Sequence, residues 1–186
     1  MKKIIPIKWL LALCAGYMLT GCGIHYTIKG QVVDALSNQP VQGAVVAINW
    51  QRYKLLSPPG YGPERVRYGT TDTVTDAQGS FTITKYMVGE FIMGVYTPGY
   101  ICWSNETIFN PEGKTYKEMF LSRENLSLKD GMVIELQPIE KEGFPVLEHS
   151  RFIAGVNRRI ESRKFADFTL GQRKIEREDY IRRNKK

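Results

Sequence analysis

Apolar and polar residues alternate from Ile28 to Val32. Ile28, Gly30 and Val32 fall on one side and Lys29 and Gln31 on the other, a period of two that predicts a half-buried β-strand. Asp34 ends the run, and its short carboxylate can accept hydrogen bonds from backbone N–H groups just ahead. Ser37, Asn38 and Pro40 supply turn chemistry, and Gly43 releases the chain into Ala44-Val45-Val46-Ala47-Ile48. That unbroken run of small and β-branched residues suits a buried strand. Between Thr73 and Ile83, two Thr/Val/Ile segments flank a loop containing Gly79, which predicts a hairpin with a positive φ at the glycine. Glu90 to Tyr96 predicts a further buried strand, turned by Pro98-Gly99. Tyr100 to Phe109 predicts the next, and Met132 to Leu136 the last, closed by Pro138. The stretch between, from Asn110 to Gly131, is polar, with short strand or helical turns expected at Tyr116 to Leu121.

After Gly143 and Pro145 the period changes. Val146, His149, Ile153, Val156 and Ile160 recur at steps of three and four, one face of a helix, while Arg151, Arg158, Arg159, Arg163 and Lys164 lie largely off it. This predicts a helix that packs its stripe on the strands, with His149 a partly buried, hydrogen-bonded member. A second helical segment, Gly171 to Arg183, pairs Glu178 with Arg182 and Asp179 with Arg183 at i,i+4 and is expected to be solvated or to meet a partner.

Asn49 to Gly69 interrupts the strand pattern. It sets Trp50, Tyr53, Tyr61 and Tyr68 among Arg52, Lys54, Arg65 and Arg67, and its centre, Ser57 to Pro63, is too rich in Pro and Gly for regular structure. Aromatic rings beside arginines are what binding surfaces use. The plainer reading is that the flanks extend a hairpin and the rings cover the edge of the fold. Trp50, Tyr53, Tyr61, Tyr68 and Trp103 are the candidate ligand or partner surface, Trp103 being either core or stacking platform.

The start of the chain has its own pattern. Lys2, Lys3 and Lys8 accompany Trp9 to Met18, a basic segment and an apolar run too short to span a bilayer comfortably. Leu19-Thr20-Gly21-Cys22 follows and resembles a bacterial lipobox. The resemblance implies cleavage between Gly21 and Cys22, a lipid on the Cys22 thiol and a second acyl group on its freed amine, and two or more chains give stable anchoring. Gly23 is not the Asp that commonly retains such proteins at an inner membrane, so an outer membrane facing the periplasm is the expected site. With Cys14 in the leader and Cys22 lipidated, Cys102 has no partner for a disulfide and reads as a small core residue.

Gly30-Gln31-Val32-Val33-Asp34, then Pro40-Val41-Gln42-Gly43-Ala44-Val45-Val46, then Thr75-Asp76-Ala77-Gln78-Gly79-Ser80-Phe81 resemble, in order, the motifs of the carboxypeptidase regulatory-like domain, over Tyr26 to Pro138. The resemblance implies a mainly β, transthyretin-like seven-stranded sandwich with a binding, spacing or stabilising role. The long Asn49–Gly69 segment departs from the family pattern. The expected organisation is a leader over 1–21, the sandwich over 22–142 and a basic helical extension over 143–186.

Charge sharpens that division. Between Cys22 and Leu147, 11 basic and 13 acidic residues leave −2; between Glu148 and Lys186, 12 basic and 6 acidic leave +6. In an exported chain this basic end points to a bilayer or an envelope protein and not to nucleic acid. With 2 His and 3 Cys, no spacing suggests a metal site, and His25 reads as solvated. No nucleophile elbow or phosphate loop occurs, and neither a metal nor a cofactor is expected. Asp72 and Asp76 read as fixing loop geometry or holding a cation weakly. The sequence thus favours a non-catalytic lipid-anchored interaction or stabilising module. A carbohydrate-binding module using exposed aromatics is the alternative, and a hydrolase built around His149 and a carboxylate is the third.

Overall fold

The computed structural model describes residues 26–54, 64–86, 89–124, 126–139 and 143–183. Cys22, Gly21, His25 and Tyr61 lie outside the described residues, as do the leader and the Pro/Gly-rich centre of the interrupting segment. In chain order the elements are β1 (Tyr26–Asp34), β2 (Val45–Tyr53), β3 (Arg65–Val74), β4 (Ser80–Lys85), β5 (Glu90–Tyr96), β6 (Trp103–Ser104), β7 (Thr107–Phe109), α1 (Tyr116–Met119), β8 (Phe120–Ser122), β9 (Met132–Leu136), α2 (Val146–Ile160) and α3 (Arg163–Arg183). The chain is mainly β. A three-stranded sheet, β4-β1-β9, faces a four-stranded sheet, β3-β2-β5-β6, and β7 and β8 form a separate ribbon. The two facing sheets thus hold seven strands, the number expected of the sandwich.

The alternation read at β1 is the alternation observed. Ile28 and Val32 turn into the space between the sheets, where they meet Ile48, Phe81, Met93 and Ile134. β2 differs, because Val45 through Trp50 are all buried. Val46, Ile48 and Trp50 face the sandwich core, whereas Val45 and Ala47 face a second core on the far side of the sheet. A strand covered on both faces needs no polar positions, which explains the unbroken apolar run.

α2 forms that second core. Phe152, Ile153, Val156 and Ile160 lie buried against Val45, Ala47 and Ile92. Four such side chains contribute roughly 1.5–3 kcal/mol each, large beside a whole-domain stability of about 5–15 kcal/mol. The helix is therefore integral to the fold. It closes at Glu161, whose left-handed φ of 56° reverses the chain. The Ser162 hydroxyl then accepts the Phe165 N–H at 3.2 Å and donates to Asp72 at 2.9 Å. α3 starts at Arg163, eight residues before the expected Gly171, because Phe165 and Thr169 are buried on the same face of the molecule. The side chains of Asp179, Arg182 and Arg183, needed for the expected i,i+4 pairs, lie outside the description.

Two strand expectations are corrected. The Thr73–Ile83 segment is not a hairpin, since β3 and β4 belong to different sheets. Its loop chemistry is as read: Gly79 has φ +68°, and Asp76 Oδ1 accepts the N–H groups of Gln78 at 2.9 Å and Ser80 at 2.8 Å. The difference comes from Thr75. Its hydroxyl accepts the Ala44 N–H at 2.8 Å and donates to the Val41 carbonyl at 2.7 Å, pinning the corner to the entry of β2. β4 is thereby delivered to β1, with which it pairs from Tyr26↔Lys85 to Gln31↔Ser80. The expected single strand over Tyr100 to Phe109 is likewise two, β6 and β7. Asn105 breaks it by accepting the Met93 N–H at 2.6 Å and donating to the Phe91 carbonyl at 3.1 Å.

Asp34 behaves as its sequence predicts. Its Oδ1 accepts the N–H groups of Ser37 at 2.8 Å and Leu36 at 2.9 Å, and its Oδ2 accepts the Tyr100 hydroxyl at 2.9 Å. The Ser37 contact leads in holding the Asp34 carboxyl below its usual range. Burial, with Asp34 beside it, raises the Tyr100 phenol.

Helix and sheet come closest at Gly94 of β5, where a methyl group would overlap Ile160 Cδ1 and Val156 Cγ1. Gly94→Val is expected to lift α2 and to lower stability by about 1–3 kcal/mol, read as a reduced midpoint in urea unfolding. A midpoint equal to that of the parent protein would show that α2 is not seated there.

Candidate functional site

The four aromatic candidates among the described residues, Trp50, Tyr53, Tyr68 and Trp103, are dispersed. Trp50 is corrected from surface to core: its side chain is 1% exposed, and its indole donates to Thr71 Oγ1 at 3.0 Å. The β2–β3 register slips between Trp50 and Gln51, leaving Tyr68 as the extra residue of a bulge. Tyr68 is 50% exposed and Tyr53 44%. Tyr68 meets Tyr86 edge-on and lies under Arg52, on the sandwich side of the sheet. Tyr53, the neighbour of Arg52, points to the other face, where its hydroxyl donates to Glu90 and its ring lies 5.9 Å from the Arg65 guanidinium. Trp103 is half-buried and covered by the Arg123 guanidinium at 5.0 Å. Among the described residues the exposed candidate rings thus share no platform on which a sugar could stack. The flanks of the interrupting segment extend the β2–β3 ladder to Tyr53↔Arg65, the plainer of the two sequence readings.

The residues that do converge are arginines. A groove of about 640 Å³ opens where the C-terminal end of α2 meets the outer face of β5, and it is lined by Arg65, Arg123 and Arg159 with Glu90 and Glu106. Each arginine is held differently. Arg65 Nε pairs with Glu90 Oε2 at 2.9 Å, and the Tyr53 and Glu90 contacts raise the Arg65 pKa. Arg159 Nη1 pairs with Glu106 Oε2 at 2.7 Å, and its own carbonyl accepts the Asn49 amide at 2.7 Å. Asn49 so ties the end of α2 to the middle of β2. Arg123 has no carboxylate partner among the described residues. Its Nε donates to the Ser104 carbonyl at 2.9 Å, and its backbone N–H to the Glu106 carbonyl at 2.9 Å. Burial lowers its pKa, yet a guanidinium is so strong a base that it keeps its charge. Exposed ion pairs of this kind are worth only about 0–1 kcal/mol. What they supply here is orientation.

A second groove of about 300 Å³ adjoins the first through Thr107, Ser122 and Arg159 and runs between α2 and the β7–β8 ribbon to Arg151 and Tyr116. Sequence reasoning did not single out Arg123 or the groove. Arg123 sits in a polar, turn-rich stretch, and nothing local distinguishes it from other surface arginines.

The remaining candidates are structural. Asp72 anchors the start of α3 through Ser162 and, at 3.7 Å, Lys164. Cys102 is buried, and burial pushes its thiol above its usual pKa, away from the reactive thiolate. Among the described residues, no three His, Cys, Asp or Glu side chains lie close enough to hold a metal ion, and no helix is long and apolar enough to cross a membrane.

His149 is wholly buried against Tyr96, Phe109 and Phe144. Its Nε2 accepts the Cys102 N–H at 3.0 Å, so the neutral ring carries its proton on Nδ1. No carboxylate faces it among the described residues, contrary to what an acid–base role would need.

No protein-family model matches the chain, and no curated protein matches it. Solved structures similar in fold include a pilus 2b backbone protein of group B streptococcus (16% identity, 60% of this chain, 40% of that chain, TM-score 0.34). An intradiol ring-cleavage dioxygenase from Tetranychus urticae aligns at 14% identity over 64% of this chain and 84% of that chain, TM-score 0.37. A DUF3823 family protein from Bacteroides uniformis aligns at 20% identity over 61% of this chain and 43% of that chain, TM-score 0.35. The chain thus spans less than half the length of the streptococcal and Bacteroides proteins. Likenesses this low in identity and TM-score carry no functional argument, so function rests on this chain's own side chains.

Burial lowers the His149 pKa to about 4, from an ordinary 6.5. Between those values the unfolded chain takes up a proton that the folded one refuses, so stability falls as pH falls through that window. The loss approaches roughly 3 kcal/mol at 1.36 kcal/mol per pH unit. Thermal melts at pH 7 and 4.5 should show it. His149→Gln keeps an acceptor for Cys102 and should flatten the difference; an equal pH slope in both proteins would refute the assignment.

Proposed function

We propose that this chain is a non-catalytic, lipid-anchored envelope protein whose sandwich serves as a protein-interaction or stabilising module. On this reading Cys22 carries the lipid and holds the protein to an outer membrane on its periplasmic side. The sandwich is of the carboxypeptidase regulatory-like kind, on the strength of its three ordered motifs. The observation that carries the interaction role is the groove at the end of α2. Its arginines are oriented by ion pairs, by ring contacts and by a packed helix before any partner arrives. Arginine beside tyrosine or tryptophan is the composition of interface hot spots, and groups held in place lose little entropy on binding. The carbohydrate reading loses support, because Trp50 is buried and Tyr53 and Tyr68 point to opposite faces. The hydrolase reading loses it too, because His149 is enclosed by aromatic rings.

Photo-crosslinking in intact cells, from a probe placed at Thr107 or Ser122, is expected to capture a defined protein neighbour. Capture of glycan alone, or of nothing, would overturn the interaction role. Mass spectrometry of the envelope form should find a chain that begins at an acylated Cys22. An unmodified Cys22 with residues 1–21 still attached would remove the anchor.

A further inference from the structure

We propose that the Arg123 end of the groove is a carboxylate site, and that it receives an acidic side chain on a short extended segment of a partner protein. This deepens the interaction-module reading and rests on it.

Arg123 is fixed from three sides. Its Nε is committed to the Ser104 carbonyl and its backbone N–H to the Glu106 carbonyl, and its guanidinium carbon lies 5.0 Å from the Trp103 ring centroid. Among the described residues Nη1 and Nη2 have no hydrogen-bond partner, and one N–H from each, in the plane of the guanidinium, makes an end-on fork that matches the two oxygens of a carboxylate. Charge selects the same ligand. Arg65 and Arg159 already face Glu90 and Glu106 at 2.9 and 2.7 Å, so three guanidinium groups meet two carboxylates in this groove. A single further carboxylate balances the excess. A dianionic phosphate would overshoot it and press its second charge against Glu90 and Glu106. A partly buried cation without a counter-ion is costly, and a partner's carboxylate relieves that cost.

Shape accommodates a segment as well as charge does. The groove of about 640 Å³ adjoins the one of about 300 Å³ beside the β7–β8 ribbon, the two sharing Thr107, Ser122 and Arg159, so residues on either side of the acidic one have wall to lie against. Phe91 and Leu126 offer apolar wall for a residue beside the acidic one, and Thr107 and Ser122 place hydroxyls along the path.

The test is fluorescence polarisation of a labelled Gly-Leu-Glu-Leu-Gly peptide, blocked at both ends, titrated with the full chain in detergent. Saturable binding is expected, weaker by roughly tenfold or more for the Gln counterpart. A similar loss is expected for Arg123→Gln and for Arg123→Lys, which keeps the charge and the stem but not the fork. Arg52→Gln, on the opposite face of the sheet, should bind as the parent does. The proposal is overturned by equal affinity for the Glu and Gln peptides, by the absence of saturation, or by unchanged affinity in both Arg123 variants. It is equally overturned if inorganic phosphate displaces the peptide at lower concentration than acetate does. Failure here with protein neighbours still captured in cells removes the carboxylate assignment alone, whereas loss of those neighbours removes the interaction role.

Discussion

Everything outside the sandwich depends on β2 being packed on both faces. Val46, Ile48 and Trp50 close the space between the sheets, while Val45 and Ala47 give α2 its seat. The small side chains on the helix side and the bare backbone of Gly94 let α2 approach closely. Asn49, between the two sets, bonds the last turn of the helix. The helix can therefore end in one place only, and Arg159 reaches Glu106 because of it. The groove arises where a helix terminus meets a sheet and the segments that follow β6 and β8.

Much of this architecture is legible along the chain, because strand and helix periods are local properties. The two-sided burial of β2 shows as an unbroken apolar run, and the α2 stripe shows as steps of three and four. What local pattern does not carry is which sheet a strand joins. A loop such as Asp76–Gly79 serves a hairpin and an arch between sheets equally well. The choice at β4 was made by Thr75, a residue that reads as an ordinary strand threonine until its hydroxyl is seen to bridge Ala44 and Val41. The direction of Trp50 was hidden for a related reason. Tyr53 lies three positions beyond Trp50, so plain strand alternation sends it to the other face, and a cluster of aromatics in the sequence becomes rings on opposite sides in space.

The groove was the least legible part. Its charged groups come from β3, β5, the segments after β6 and β8, and the end of α2, joined by contacts such as Arg159–Glu106 across 53 positions. No window of sequence contains two partners of such a pair. Arginines are common on surfaces, and what sets Arg123 apart is the carboxylate it lacks among the described residues, together with a ring and a carbonyl that hold it still. Charge counting along the chain cannot find that.

The pairing of β1 with β9 carries a consequence for how the molecule forms. The two run parallel, Gly30 beside Met132 and Asp34 beside Leu136. β1, the first of the described strands, therefore sits in mid-sheet with one flank open until β9, about a hundred residues further along, has been made. Closing so long a loop is entropically slow. During that interval the bare flank of β1 is the natural place for a chaperone, or a mistaken neighbour, to attach.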